Sequence, residues 1–135
     1  MASNRLWENR EEKVVILDSS AVMTPFEFSI RLDEELTRLL GKYRIIMLTP
    51  ILRELEYLSK HGKGKKKSIA KASLKLVENY EIMDVDEKHG DNAIFYMAKK
   101  LKAIVVTNDK ELKKRLQKIA IPVIYLREKQ KLMLE

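Results

Sequence analysis

The sequence predicts an α/β fold: a three-layer α/β/α arrangement around a central, mainly parallel sheet of about five strands. Two observations lead there. Short apolar runs alternate with stretches of helical periodicity, and that alternation implies parallel strands with helices on both faces. The runs Val14-Val15-Ile16-Leu17, Ile45-Ile46-Met47-Leu48 and Ala103-Ile104-Val105-Val106 are continuous rather than alternating, as strands buried on both sides are.

Each element has a local reason. A strand at about 13–18 precedes a helix within 26–41, with Ile30, Leu36, Leu39 and Leu40 apolar and Gly41 as its stop. A second strand covers about 44–49. Pro50 then opens a helix, since proline is tolerated in the first turn, and Ile51, Leu52, Leu55 and Leu58 recur at helical spacing. Ser59 to Lys67, with Gly62 and Gly64, reads as an exposed loop. A helix follows through Ile69, Ala72, Leu76 and Val77, and then a third strand at about 80–85. A helix over about 91–101 places Ile94, Met97, Ala98 and Leu101 on one face. The fourth strand is 103–107, and the helix after it is about 109–118. Pro122 to Leu126 reads as a final strand at the sheet edge, because proline cannot donate to a ladder. The tail, REKQKLMLE, is expected as a short helix against the domain or a partner.

The 135 residues favour one domain over 1–135, with a core at 13–126, an N-terminal extension at 1–12 and a tail at 127–135. Cysteine is absent, which excludes disulfides and thiol chemistry and fits a reducing, cytoplasmic setting. The first twelve residues lack the apolar stretch of a signal peptide, and no apolar run approaches membrane-spanning length. Charged residues make up 35% of the chain, a level common in thermophile proteins.

The net charge is +7, and it has an address. Lys60, Lys63, Lys65, Lys66, Lys67, Lys71 and Lys75 fall in one acid-free segment and account for the whole excess. They form either a solvated face or a contact for a polyanion, chiefly nucleic acid. A membrane surface fits less well, because the segment has no aromatic or leucine face to insert.

Four carboxylates, Asp18, Glu54, Asp91 and Asp109, follow four apolar runs, the three above and Ile82-Met83-Asp84-Val85. The carboxyl ends of parallel strands share one edge, where ligands bind. Acids gathered there repel each other unless a cation joins them. Each acid also has a plainer explanation. Asp18 suits a turn or helix cap before Ser19-Ser20. Glu54 suits an exposed helix face, although it lies beside the apolar stripe, with Glu56 on the opposite flank. Asp91 suits an N-cap or first-turn acid. At Asp109 the cap already has a candidate in Asn108, with Glu111 three residues on as in a capping box. That leaves Asp109 for the cleft and Glu111 either a cap partner or a fifth acid. A receiver-like phosphorylation domain would want an adjacent acidic pair at the first strand end, and a haloacid-dehalogenase-like enzyme an aspartate where Ser20 stands. Oxygen donors for a hard cation beside a polyanion-binding segment suit metal-assisted phosphodiester hydrolysis. His61 and His89 have no metal-ligand spacing. Gly62 and Gly64 do not make a phosphate loop. Trp7 and Tyr57 read as packing. Phe26, Phe28 and the tail are apolar candidates for an interface.

At these residues the chain resembles the PIN-domain ribonucleases. The motifs are ILDSSAVM, TPILRELEYL, GDNAI and VVTNDKELKKRL, and the likeness covers roughly 13–126. The last motif, with IAIPVIYL after it, is similar to the rRNA-processing branch, to small stand-alone archaeal members and to VapC-type toxins. The resemblance implies Mg²⁺ or Mn²⁺ held by Asp18, Glu54, Asp91 and Asp109, with Glu111 as a further candidate. Ser20, Thr107 and Asn108 support them. Many members carry a second aspartate where this chain has Asn92. The expectation is a metal-dependent endoribonuclease acting on RNA in rRNA processing or as a toxin, with Lys60, Lys63, Lys65, Lys66 and Lys67 holding the RNA backbone. Lys110, Lys113, Lys114 and Arg115 offer an alternative path. The rival expectation is an RNA-binding module with little cleavage, acting in an assembly complex. A homodimer, an antitoxin and a ribosome-assembly protein are the partners the resemblance admits.

Overall fold

β1 (Lys13–Leu17) opens a six-stranded sheet in the computed structural model, which describes residues 12–135. Residues 1–11, and with them Trp7 and nearly all of the N-terminal extension, lie outside the described residues. After β1 come α1 (Ser19–Phe28), α2 (Leu32–Leu40), β2 (Tyr43–Leu48), α3 (Thr49–His61), α4 (Lys65–Val77) and β3 (Glu81–Met83). Then follow α5 (Gly90–Leu101), β4 (Ile104–Val106), α6 (Lys110–Lys118), β5 (Val123–Arg127) and β6 (Lys131–Leu134). The strand order is β3-β2-β1-β4-β5-β6. All pairs are parallel except β5 with β6, where Tyr125 faces Met133.

The three-layer α/β/α arrangement predicted from the alternation is present. β1 occupies the middle, with Val15 opposite Ile45 of β2 and Ile104 of β4. Val15, Ile16 and Leu17 are fully buried, as continuous apolar strands between two helical layers must be. Ile51, Leu55, Ile94 and Leu116 bring the apolar stripes of α3, α5 and α6 onto the same core. Each such side chain stabilises the fold by about 1.5–3 kcal/mol. The chain winds outward from β1 to β3 on one side, then returns to start β4 on the other. That reversal leaves a crevice at the carboxyl ends of β1 and β4.

Several sequence expectations change. The helix expected within 26–41 is two helices. Asp18 caps the first, which therefore starts at Ser19, and Ser29 ends it in a left-handed conformation (φ 54°). The second stops at Gly41, whose φ of 73° glycine adopts without strain. The loop expected over Ser59–Lys67 shrinks to three residues, because α3 continues to His61 and α4 starts at Lys65. The tail is a strand, not a helix, and raises the count from about five to six. Its Leu132 donates backbone N–H to Glu35 at 2.9 Å and accepts from Arg38 at 2.8 Å, so α2 fastens it. β5 is consequently an inner strand. Pro122 sits just before it, where only its carbonyl is needed, accepting from Val105 N–H at 3.1 Å. The edges are β3 and β6, and β3 is short and largely exposed rather than buried on both sides.

Candidate active site

Asp18, Glu54, Asp91 and Asp109 line one cleft of about 820 Å³ at the crevice between β1 and β4. Four strand–helix units, far apart in sequence, deliver them to it.

Asp18 is the most firmly placed. Its backbone N–H donates to the Val106 carbonyl at 3.0 Å and so extends the β1–β4 ladder by one rung. Its Oδ1 accepts from Ser19 N–H at 2.8 Å, which makes it the N-cap of α1. Its Oδ2 accepts from the Thr107 hydroxyl at 2.7 Å and the Ser20 hydroxyl at 3.2 Å. Burial pushes its pKa up. The hydrogen bonds from Thr107, Ser19 and Ser20 pull the other way, and the charge of Asp109 adds to the rise. The capping and cleft readings of Asp18 are therefore compatible.

Thr107 is fully buried, and its hydroxyl serves two acids. It donates to Asp18 and accepts from Asp109 N–H at 3.1 Å. The cap of α6 is a correction. Asp109, not Asn108, holds it, with Oδ1 accepting from Glu111 N–H at 2.9 Å and Leu112 N–H at 3.2 Å. Asn108 is engaged elsewhere. Its amide donates to the Thr24 hydroxyl at 3.0 Å and accepts from Leu126 N–H at 2.9 Å, and its backbone N–H reaches Ser20 Oγ at 3.1 Å. Glu111 is thus an exposed second residue of α6, outside the capping box and away from the cleft lining.

The other two acids are held more loosely. Glu54 accepts from the Ser19 hydroxyl at 3.2 Å, and that hydroxyl also stands 3.5 Å from Asp18 Oδ1. Burial pushes the Glu54 pKa up, and the Asp18 charge pushes it further; Ser19 and Lys66 oppose the rise. Asp91 lies exposed in the first turn of α5, 3.5 Å from the Arg115 guanidinium. Arg115 also donates to Asn92 Oδ1 at 3.3 Å and lies over Phe95, so Asn92 helps tie α5 to α6. Lys113 is likewise committed, to Glu135 at 2.6 Å and to the face of Tyr125. The alternative basic path through α6 is accordingly weakened.

Of the five lysines expected to hold RNA, Lys66 alone lines this cleft. Lys60 lies in the last turn of α3, Lys63 is in the short loop, and Lys65, Lys66 and Lys67 form the first turn of α4. Cations there oppose the helix dipole, which favours anions at that end. Sequence reasoning missed Ser19, Arg53 and Lys88 and set His89 aside, and all four also line the cleft. It also missed Gly90. A Cβ there would stand 2.7 Å from Ile51 Cδ1 and 3.2 Å from Glu54 Oε2. The glycine preceding Asp91 in GDNAI was the available signal.

Among the described residues, no three His, Cys, Asp or Glu side chains form a ready-made coordination shell. The donor set is nonetheless all carboxylate, partly desolvated and mutually repelling. Mg²⁺ keeps several waters and takes one or two carboxylates plus phosphate oxygens, so these residues fit it in kind. No helix among the described residues is long and apolar enough to cross a membrane.

A family described as the PIN like domain matches residues 15–129. Ribonuclease VapC4 of Methanocaldococcus jannaschii is 37% identical over 119 residues, spanning 85% of this chain and 91% of that protein. Ribonuclease VapC9 of Archaeoglobus fulgidus is 32% identical over 127 residues, spanning 94% and 93%. Among solved structures, the PIN domain endonuclease Utp24 superposes with a TM-score of 0.75 at 27% identity, covering 90% of each chain. With the strand order, the crevice and these matches together, the chain belongs to the PIN-like domain family.

Proposed function

We propose that this protein is a metal-dependent endoribonuclease that hydrolyses RNA phosphodiester bonds in the cleft of Asp18, Glu54, Asp91 and Asp109. One observation carries the reading: four acids from four separate strand–helix units line a single cleft with Lys66 at its wall. Both curated relatives are named ribonucleases, which supports the same substrate class.

Asp18 and Asp109, set by Thr107, are the residues to hold Mg²⁺ or Mn²⁺, with Glu54 and Asp91 across the cleft. When bound, the ion supplies positive charge at the phosphate and a more acidic water. Glu54, whose pKa burial raises, is placed to take a proton from the attacking water. The water oxygen bonds to phosphorus, the ester P–O bond breaks, and the departing oxygen takes its proton from solvent water, while Glu54 returns to the carboxylate by releasing its proton to solvent. Lys66 draws the phosphate past the acids that would otherwise repel it.

A second reading is an RNA-binding PIN module with little cleavage, in keeping with Asn92 standing where many members of the family carry a second aspartate. Incubation with total RNA and Mn²⁺ separates the two. Cleavage that disappears with EDTA and in Asp18→Asn supports the nuclease; RNA binding without cleavage supports the module. The VapC names favour a toxin role with an antitoxin partner over rRNA processing. Growth arrest on expression, relieved by a neighbouring gene, tests that choice.

A further inference from the structure

Beside the acidic cleft lies a second groove of about 960 Å³, between the end of α1 and the start of α4. Ser20, Met23 and Lys66 line both, so the two lie side by side. The groove has an apolar wall of Met23, Phe26 and Phe28, and a basic wall of Lys65 and Lys66. Phe26 is 43% exposed, which leaves much of its ring open to the groove it lines. The basic wall is uneconomical for the fold alone. The first turn of α4 carries three lysines and no acid, and its N-cap is Gly64, which has no side chain to satisfy the free backbone N–H groups.

Building on the ribonuclease reading, we propose that this groove binds the nucleotide flanking the scissile phosphate of single-stranded RNA, its base on Phe26 and its phosphate on Lys65 and Lys66. The chemistry divides as a nucleotide does, with an aromatic face opposite paired cations. Glu27, also at the groove, repels phosphate from the Phe26 side and fixes which way the nucleotide lies. A base can reach the ring only when unstacked, so the groove selects single strands, loops and ends over duplex. An apolar peptide would meet the phenylalanines but leave both lysines without a counter-charge.

The test measures binding in EDTA, with short labelled single-stranded RNAs of one sequence carrying one abasic position at a time. For wild type, one position should weaken binding about five- to tenfold, near the low end for base–aromatic stacking. In Phe26→Ala that penalty should vanish, while abasic sites elsewhere behave as before. Phe26→Trp should restore it and show indole quenching by RNA above that of wild type. Absence of RNA binding by the wild type, in EDTA and with Ca²⁺ alike, would overturn the ribonuclease reading together with the subsite. RNA binding with equal abasic profiles in wild type and Phe26→Ala would overturn the subsite alone. So would a Phe26→Ala variant that dissociates a wild-type dimer yet keeps the penalty, because the groove would then join two copies.

Discussion

The two halves of the acidic cleft are built differently. On the β1–β4 side, Asp18 and Asp109 are fixed by strand ends, helix caps and the shared hydroxyl of Thr107. On the α3–α5 side, Glu54 has one hydroxyl partner and Asp91 faces solvent and Arg115. Position is expensive to hold where no ladder reaches, and the ladders of the sheet reach only the first half. The difference teaches that the β1–β4 half sets the geometry, whereas the α3–α5 half can adjust to what binds.

Asp18→Asn should have the largest effect. Cleavage should fall by about 10²–10³-fold, the scale for losing one preorganised charged or polar group, while the fold persists. The sign in pH checks the cause. The folded-state pKa values of Asp18 and Glu54 are raised, so their contribution to stability is present at low pH and lost as pH rises through the folded values. Metal-free wild type should therefore lose stability as pH climbs from the ordinary carboxylate range toward neutrality, and Asp18→Asn should lose less. Thermal melts across that range decide it. A mutant that melts well below wild type throughout would make Asp18 a structural cap only.

Thr107→Val comes next. It leaves Asp18 and the Asp109 N–H each one partner short, at a cost of about 1–3 kcal/mol. Activity should fall about 10–100-fold, as when a partner that orients a metal ligand is lost. The corresponding change on the loose side, Ser19→Ala, should cost clearly less in both. Equal losses would erase the distinction between the halves. A smaller effect is expected from Lys66→Gln, which should flatten the log–log salt dependence of single-stranded RNA binding by about 0.7. Lys63→Gln, out in the loop, should leave it unchanged. Smallest of all, Glu111→Ala should cost about 0.3–1 kcal/mol through the helix dipole alone. Loss of cleavage in that variant would return Glu111 to the site.

Much of this layout was legible because it is periodic. Continuous apolar runs gave the strands, and the acids just past them gave the edge. What stayed hidden was decided by competition between partners. Asn108 has the composition of a cap, but β5 and α1 recruit its amide, so Asp109 takes the post. KLML reads as part of a helix until Glu35 and Arg38 of α2 fasten Leu132 as a strand. Glycines and lysines at Gly62–Lys67 carry loop signals, yet α4 begins inside that stretch. No local pattern records contacts made across the fold.

The Thr107–Asp18 bond spans 89 positions of the chain. Its closure waits for β4 to find β1, among the most distant pairings in the sheet and so among the costliest in loop entropy. A nascent or partly folded chain can form α1, α3 and the β1–β2 pair while Asp18 still lacks Thr107 and Asp109. Under the nuclease reading, the capacity to cut RNA is then among the last properties to mature. An enzyme dangerous to the transcript that encodes it would be harmless until its own synthesis is nearly done.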